Sequence, residues 1–413
     1  MRVDTQPGPG SDERPRVLVL DGHSKAAAAT VLALADFADV DVATVRLDAP
    51  SCASPRVQQR LHQQAAVDTL ADWVGTADRA AGYTLIVPST EAALVALKSQ
   101  TLDPALRAKL LLPDEASIDI ALDKHRTWSM ARALGVPVPE AVLVKRLDRV
   151  PECPQLPVAI KPLTSKVQVD GRMQSLSVRI CRTEAERTQA YRELLPYNPV
   201  VEQQYFRGHG IGVELLFEHG EPRWCFAHER IHELPISGGG STYRRAITAP
   251  PAIEQAAIAM LRKLQWHGVA MVEFKLADDG GFCLIEINPR LWGSLPLAVA
   301  AGVNFPLGLL RLASGTALGS QPGYRRNFYA RNVGADVQWF VQAYRARSDP
   351  LTVKQLTAGD CAALFRPLLG NECWDLFNWR EPQVWWALTR KSLTRIANGV
   401  RRRAGGNPNR ALH

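Results

Sequence analysis

The chain has 413 residues, 46% of them hydrophobic and 22% charged, with a formal net charge of +8. This is the composition of a globular protein with room for two or three cores, and it excludes a disordered, fibrous or disulfide-framework chain. Residues 381–413 hold seven Lys/Arg against one Glu, so the basic character belongs to the tail rather than the body.

Residues 1–15 are polar, lack an apolar leader core and read as a disordered lead. Seven cysteines are scattered without a CxxC pair, which predicts a reducing cytoplasm. No run reaches the roughly 18 apolar residues of a membrane span. Arg16–Asp21 (RVLVLD) predicts a buried parallel strand, followed by Gly22 and an Ala-rich helix to about Asp36. Val40–Leu47 is expected to be the next strand, Gln58–Ala80 a helix, and Tyr83–Pro88 a third strand. Ser89-Thr90-Glu91 then cap a helix over Ala92–Ser99. Strand–helix alternation over residues 16–120 implies a Rossmann-like parallel layer, and without GxGxxG no dinucleotide site is read.

Residues 121–320 read as a second domain. Asp123 is placed to cap a helix running to Leu134, which Gly135 ends. Leu156–Pro162 (LPVAIKP) predicts a strand with Lys161 near its end. Thr164 to Gly171 reads as a flexible loop, and Val200–Glu214 as strand, glycine-rich turn (Gly208, Gly210, Gly212) and strand. Arg230 precedes Gly238-Gly239-Gly240-Ser241, where bare backbone N–H groups admit an anion or form a mobile linker. His228 and His232 have no metal-ligand partners and read as polar lining. Pro251–Leu264 is an amphipathic helix.

Gly268–Ser294 carries the chemistry. Val269–Leu276 and Phe282–Asn288 both alternate, and Asp279-Gly280 between them predicts a two-residue type I′ hairpin. Counting from that turn places Glu273 opposite Glu286, with Asn288 two residues along on the same face. Facing carboxylates repel, so an oxygen-rich cluster of Glu273, Glu286 and Asn288 calls for a cation, and Mg²⁺ suits all-oxygen donors. Arg290 follows, placed to hold an anion.

The segments M-V-E-F-K, E-I-N-P-R and L-W-G-S-L-P-L-A-V-A-A-G-V-N-F-P resemble the ATP-grasp superfamily, in the branch similar to the carbamoyl-phosphate synthetase large subunit. The resemblance covers about Arg16 to Pro306. It implies a pre-ATP-grasp domain followed by two α+β lobes that clasp ATP. It implies that Lys124 and Lys161 reach the nucleotide phosphates, and that backbone near Gln203, Gln204, Tyr205 and Phe206 meets adenine. The family's ribose glutamate position is Gly210 here, leaving Glu202 and Glu214 as substitutes. Two Mg²⁺ (or Mn²⁺) would sit on Glu273, Glu286 and Asn288, and Arg230, Gly239, Gly240, Ser241 and Arg290 would line the carboxylate and γ-phosphate site.

The expected activity is an ADP-forming carboxylate–amine (or carboxylate–thiol) ligase acting through an acyl phosphate, with Lys161 and Arg290 catalytic. Its partners would be ATP, a small carboxylic acid and an amine. A bicarbonate-using carboxylase or carbamoyl-phosphate-type enzyme, and a noncatalytic nucleotide-binding protein, stay open. Residues 321–413 are expected to form a helical extension rich in aromatic and basic residues. Trp339, Phe340, Trp374, Phe377, Trp379, Trp385 and Trp386 would pack on the body, with peripheral membrane contact through residues 374–403 as the second reading; no nucleic acid is expected. A homodimer is also compatible.

Overall fold

The computed structural model describes residues 14–390 apart from 64–68, 99, 151, 153–154, 165, 170–171, 237 and 347–353. Four parallel strands open the chain. They lie in the order Val57–His62, Asp39–Thr44, Arg16–Val19, Leu85–Val87. Val17, Leu18 and Val19 are fully buried, as both faces of a parallel sheet require. Thr90 Oγ accepts from Ala93 N at 3.2 Å, so the threonine does cap the Glu91–Lys98 helix.

Residues 58–80 depart from the expected single helix. Val57–His62 is a strand, and the helix spans only Leu70–Ala81. The strand lies at the sheet edge, with Gln58, Gln59 and Arg60 exposed. An edge strand buries few side chains, so the alternation that reveals a strand is missing.

The first lobe of the following domain is a four-stranded antiparallel sheet, ordered Ala141–Val144, Val200–Gln204, Val158–Pro162, Arg179–Cys181, and backed by the Glu184–Leu194 helix. The expected loop at 164–171 includes strand Lys166–Val169, paired antiparallel with Arg172–Ser175; Ser165, Asp170 and Gly171 lie outside the described residues.

The second lobe is built on a seven-stranded sheet. Its order is Phe282–Asn288, Gly268–Leu276, His209–Glu218, Glu221–Leu234, Gly240–Ile247, Tyr329–Arg331, Glu372–Trp374. The Pro251–Lys263 and Lys124–Ala133 helices pack on one core with this sheet. Leu295–Ala301 and Phe305–Ala313 join it to the N-terminal layer in another core. These two helices meet at a bend of 86°, and among the described residues no single helix is long and apolar enough to cross a membrane.

The C-terminal extension carries the helices Val333–Arg345 and Ala358–Ala362, and it also adds two strands to the large sheet. Its aromatics divide. Trp339 is buried and stacks on His232, with ring centroids 3.5 Å apart. Trp374, Phe377 and Trp385 pack on one another, whereas Trp379 and Trp386 are 87% and 57% exposed.

Candidate active site

The hairpin forms, but through a different turn. Gly280 N donates to Ala277 O at 3.0 Å, and Ala277 N to Gly281 O at 2.8 Å. Gly280 alone of the loop has a left-handed φ, +88°. This is a three-residue loop, 278–280, in place of the expected two-residue turn. Leu276 therefore pairs with Phe282 rather than Cys283, and Phe274 with Leu284. A register shift between Glu273 and Phe274 then restores Glu273 opposite Glu286. The predicted pair is right because a bulge compensates for a misread turn.

Asn288 joins the pair: its Nδ2 donates to Glu273 Oε1 at 3.0 Å and Glu286 Oε1 at 3.3 Å. Its Oδ1 accepts from Arg290 Nη2 at 3.2 Å. Glu273 is also held by Arg230 at 2.6 Å, and Arg230 Nη1 donates to Gly239 O at 2.9 Å. Lys124 Nζ approaches Glu286 Oε2 to 3.7 Å from the helix Asp123 caps. Lys161, on the facing lobe, is 8% exposed and lies 5.7 Å from the Trp128 ring.

The glycines of G-H-G-I-G do not turn the chain, since Gly208, Gly210 and Gly212 all lack a left-handed φ. They make room. A Cβ on Gly210 would lie 2.6 Å from Arg230 Cδ, and one on Gly212 2.3 Å from His228 Cε1. Both positions are left bare so that side chains of the neighbouring strand can lie across them.

Between the lobes lies a cavity of about 550 Å³, within the usual size of a small-ligand site. Lys124, Lys161, Gln203, Tyr205 and Phe206 line it, as do Arg230, Gly239, Gly240 and Ser241. Glu273, Glu286, Asn288 and Arg290 complete the predicted set there.

Three expected residues do not line it. Glu202 is buried beneath the Glu184–Leu194 helix, 2.6 Å from both Arg187 Nε and Tyr191 Oη, so it is not placed for a ribose. Glu214 is fully buried, accepts from Ser294 Oγ at 2.8 Å, and is likewise not placed for one. The Gln204 side chain is exposed, and its backbone N–H is committed to Glu140 O at 2.9 Å.

Glu233 also lines the cavity, and the sequence reading does not find it. Its carboxylate accepts from Gly210 N at 3.1 Å and Gly239 N at 2.9 Å. Register shifts between Arg230 and Glu233 break the alternation that would reveal it. Lys25, Lys275, His228, Trp292 and Ser294 also line the cavity. Lys25 comes from the N-terminal layer, and no local pattern announces it. His232, by contrast, is buried between Asp336 (2.8 Å) and Asp360 (3.2 Å).

Burial lowers the Lys161 ammonium to about 8, and Lys124 adds to the effect. Burial raises Glu273, against the pull of Arg230, and Glu286 raises it further. Burial acts on Glu286 too, but Lys124, Lys161, Arg230 and Arg290 outweigh it and hold that carboxyl low. Burial likewise pushes Glu214 up to about 8 and His228 well down. The contact between them, His228 Nδ1 to Glu214 Oε1 at 3.0 Å, is therefore not an ion pair at neutral pH.

The site fits a hard divalent cation. Two carboxylates and an amide converge on one another, all with oxygen donors. Turning the Asn288 amide over would present Oδ1 in place of Nδ2. Among the described residues no group of three or more His, Cys, Asp or Glu forms a further metal cluster.

Comparison with known proteins agrees with this geometry. Residues 198–340 match the family described as "ATP-grasp in the biosynthetic pathway with Ter operon". No curated protein matches the chain. Among solved structures, an N5-carboxyaminoimidazole synthetase from Staphylococcus aureus, complexed with ADP, superposes with a TM-score of 0.61. The match has 13% identity and covers 83% of this chain and 90% of that one. An L-amino acid ligase from Bacillus licheniformis gives 0.55 at 15% identity, over 76% of each chain. A biotin carboxylase from Campylobacter jejuni, in complex with an ATP analogue, gives 0.58 at 14% identity, over 76% and 74%. Residues 198–340 thus match an ATP-grasp family, and the chain shares the fold of these solved structures.

Proposed function

We propose that the chain is an ATP-dependent, ADP-forming ligase that joins a small carboxylic acid, such as an amino acid, to an amine. One observation carries this reading: Lys124, Lys161, Arg230 and Arg290 converge with Glu273, Glu286 and Asn288 on a single cavity. Cations and carboxylates so opposed suit a polyphosphate held with divalent metal. Magnesium on Glu273, Glu286 and Asn288 would supply neutralisation of the phosphate oxygens.

The side chains divide the work. Lys161 and Lys124 hold the phosphates as point charges. Backbone at Gln203, Tyr205 and Phe206 meets the adenine edge. Arg290 and Arg230 orient the acid, whose carboxylate oxygen attacks the γ-phosphorus as the bond to ADP breaks. The amine then attacks the acyl carbon and phosphate departs. Such transfer needs positioning and charge stabilisation more than covalent chemistry by the protein.

The test is phosphate release from MgATP with paired acids and amines, and mass detection of products. An amide product with matching ADP supports the ligase. Release driven by bicarbonate alone selects the carboxylase reading. Nucleotide binding without turnover on any pair overturns both.

For residues 374–403 the reading is peripheral contact with an anionic membrane. Trp379 and Trp386 are exposed, and exposed aromatic side chains suit a membrane interface. Lys391, Arg395 and Arg401–Arg403 lie outside the described residues but supply the charge. Co-sedimentation with phosphatidylserine vesicles that vanishes on deleting 381–413 supports it; no sedimentation of the full chain refutes it.

A further inference from the structure

The cavity extends past the carboxylate cluster. Lys275 Nζ lies 5.3 Å from the Tyr205 ring, at the adenine end. Ser294 Oγ lies 3.9 Å from Met271 Sδ. Met271 and Lys275 share one strand, so these ends are roughly 13 Å apart with Glu273 midway.

The far end is walled by Lys25, His228, Trp292, Gly293 and Ser294. Lys25 Nζ is 2.7 Å from Asp375 Oδ2, and Arg244 binds the other oxygen of that carboxylate. Two cations, one at the cavity wall and one fully buried, thus share one buried acid. Arg244 is fully buried, with Nε and Nη1 unpartnered. Trp292 Nε1 and His228 Nε2 are also buried without a hydrogen bond. Native folds seldom leave such groups unmatched, and a ligand or ion at this end would satisfy them. Charge agrees: six Lys/Arg against three Glu line the cavity. ATP with two magnesium ions is close to neutral and would leave that surplus in place.

We propose that this end binds a carboxylate or phosphate group carried by the amine, which makes the nucleophile an amino acid or a comparably anionic amine. That the ligand carries an amine rests on the ligase reading; the anion site does not. Lys25 supplies the charge at the wall, with Arg244 buried behind it across Asp375, and Trp292 donates an N–H. Asp375 keeps the two cations together without cancelling them.

The experiment is thermal-shift titration of the full chain, first with MgADP, then adding each of the twenty amino acids, their decarboxylated amines, inorganic phosphate or a dicarboxylic acid without an amine. The expected result is a further rise with at least one amino acid or with phosphate, and none with the matching decarboxylated amine. Lys25→Met should weaken that response about ten-fold, as loss of a charged hydrogen bond does, and leave the MgADP shift unchanged. Trp292→Phe removes the N–H together with part of the indole but keeps an aromatic ring against Phe305, so it should weaken the response several-fold without unfolding the site. A normal MgADP shift with no response to any anion overturns the proposal and leaves the ligase reading standing. Equal response to decarboxylated amines, wild-type affinity in Lys25→Met, or response to the dicarboxylic acid alone overturns it too. Loss of any MgADP shift in the wild type counts against the ligase reading, and the phosphate arm still reads the anion site.

Discussion

Glu286 shows how far a single side chain depends on its surroundings. Lys124, Lys161, Arg230 and Arg290 hold it ionised although it is partly buried, and Asn288 is bonded to it. Glu286→Gln keeps the shape and removes the charge. It should reduce phosphate release to background while far-UV circular dichroism stays unchanged; turnover at the wild-type rate would defeat the metal assignment. Lys161 gives a pH signature. Its folded pKa, about 8, lies below the free value of 10.5, so it is the ammonium below about 8 and the neutral amine above. Only the ammonium attracts phosphate. Nucleotide affinity should therefore be full below pH 8 and fall as pH rises through it. Titration calorimetry on Lys161→Met should show about ten-fold weaker binding and the loss of this step. Stability of the free protein runs the other way: the cost of burying the ammonium is full below about pH 8 and is relieved as the pH rises from there to 10.5.

At the scale of elements, the hairpin loop is the sharpest test. Gly280 adopts φ +88°, and a Cβ placed on it would meet nothing within 4 Å. Gly280→Ala should then cost only the left-handed backbone term, about 1 kcal/mol, measurable by urea denaturation, with phosphate release retained. A much larger loss would mean that the loop is not the exposed three-residue turn. The neighbouring strands teach the same lesson about parity. Asp-Gly correctly announces a hairpin, yet it cannot say whether two or three residues close it, and the bulge beside Glu273 leaves no mark in the sequence. The edge strand Val57–His62 goes unread because exposure removes the hydrophobic period that identifies a strand.

For the whole molecule, Asp375 is the joint. It follows the last strand of the large sheet and binds Lys25 of the N-terminal layer and Arg244 of the sheet interior. Glu381 repeats the pattern with Ser54 and Arg56. The C-terminal extension thus ties the first layer to the clasp by buried charge. Asp375→Asn leaves two cations without their counter-ion, and breaking a buried pair from one side costs about 3–5 kcal/mol. The expected outcome is a large fall in melting temperature, with Lys25→Met partly restoring it in the double variant. Independent, additive losses would argue against the joint.

Much of the molecule is written locally. The alternating strands around Asp-Gly, the Asp123 cap before Lys124, the strand-end Lys161 and the E-I-N-P-R run depend on neighbours in the chain, and their physics lies within a few residues. The seating of Lys25 against Asp375 and the buried Arg244, the burial of Glu202 under Arg187 and Tyr191, and the entry of Glu233 into the cavity depend on contacts between distant segments. Charge balance and desolvation are properties of a volume rather than of a stretch of sequence. Only when the layers close around that volume is it decided which cations are neutralised and which remain to hold a ligand.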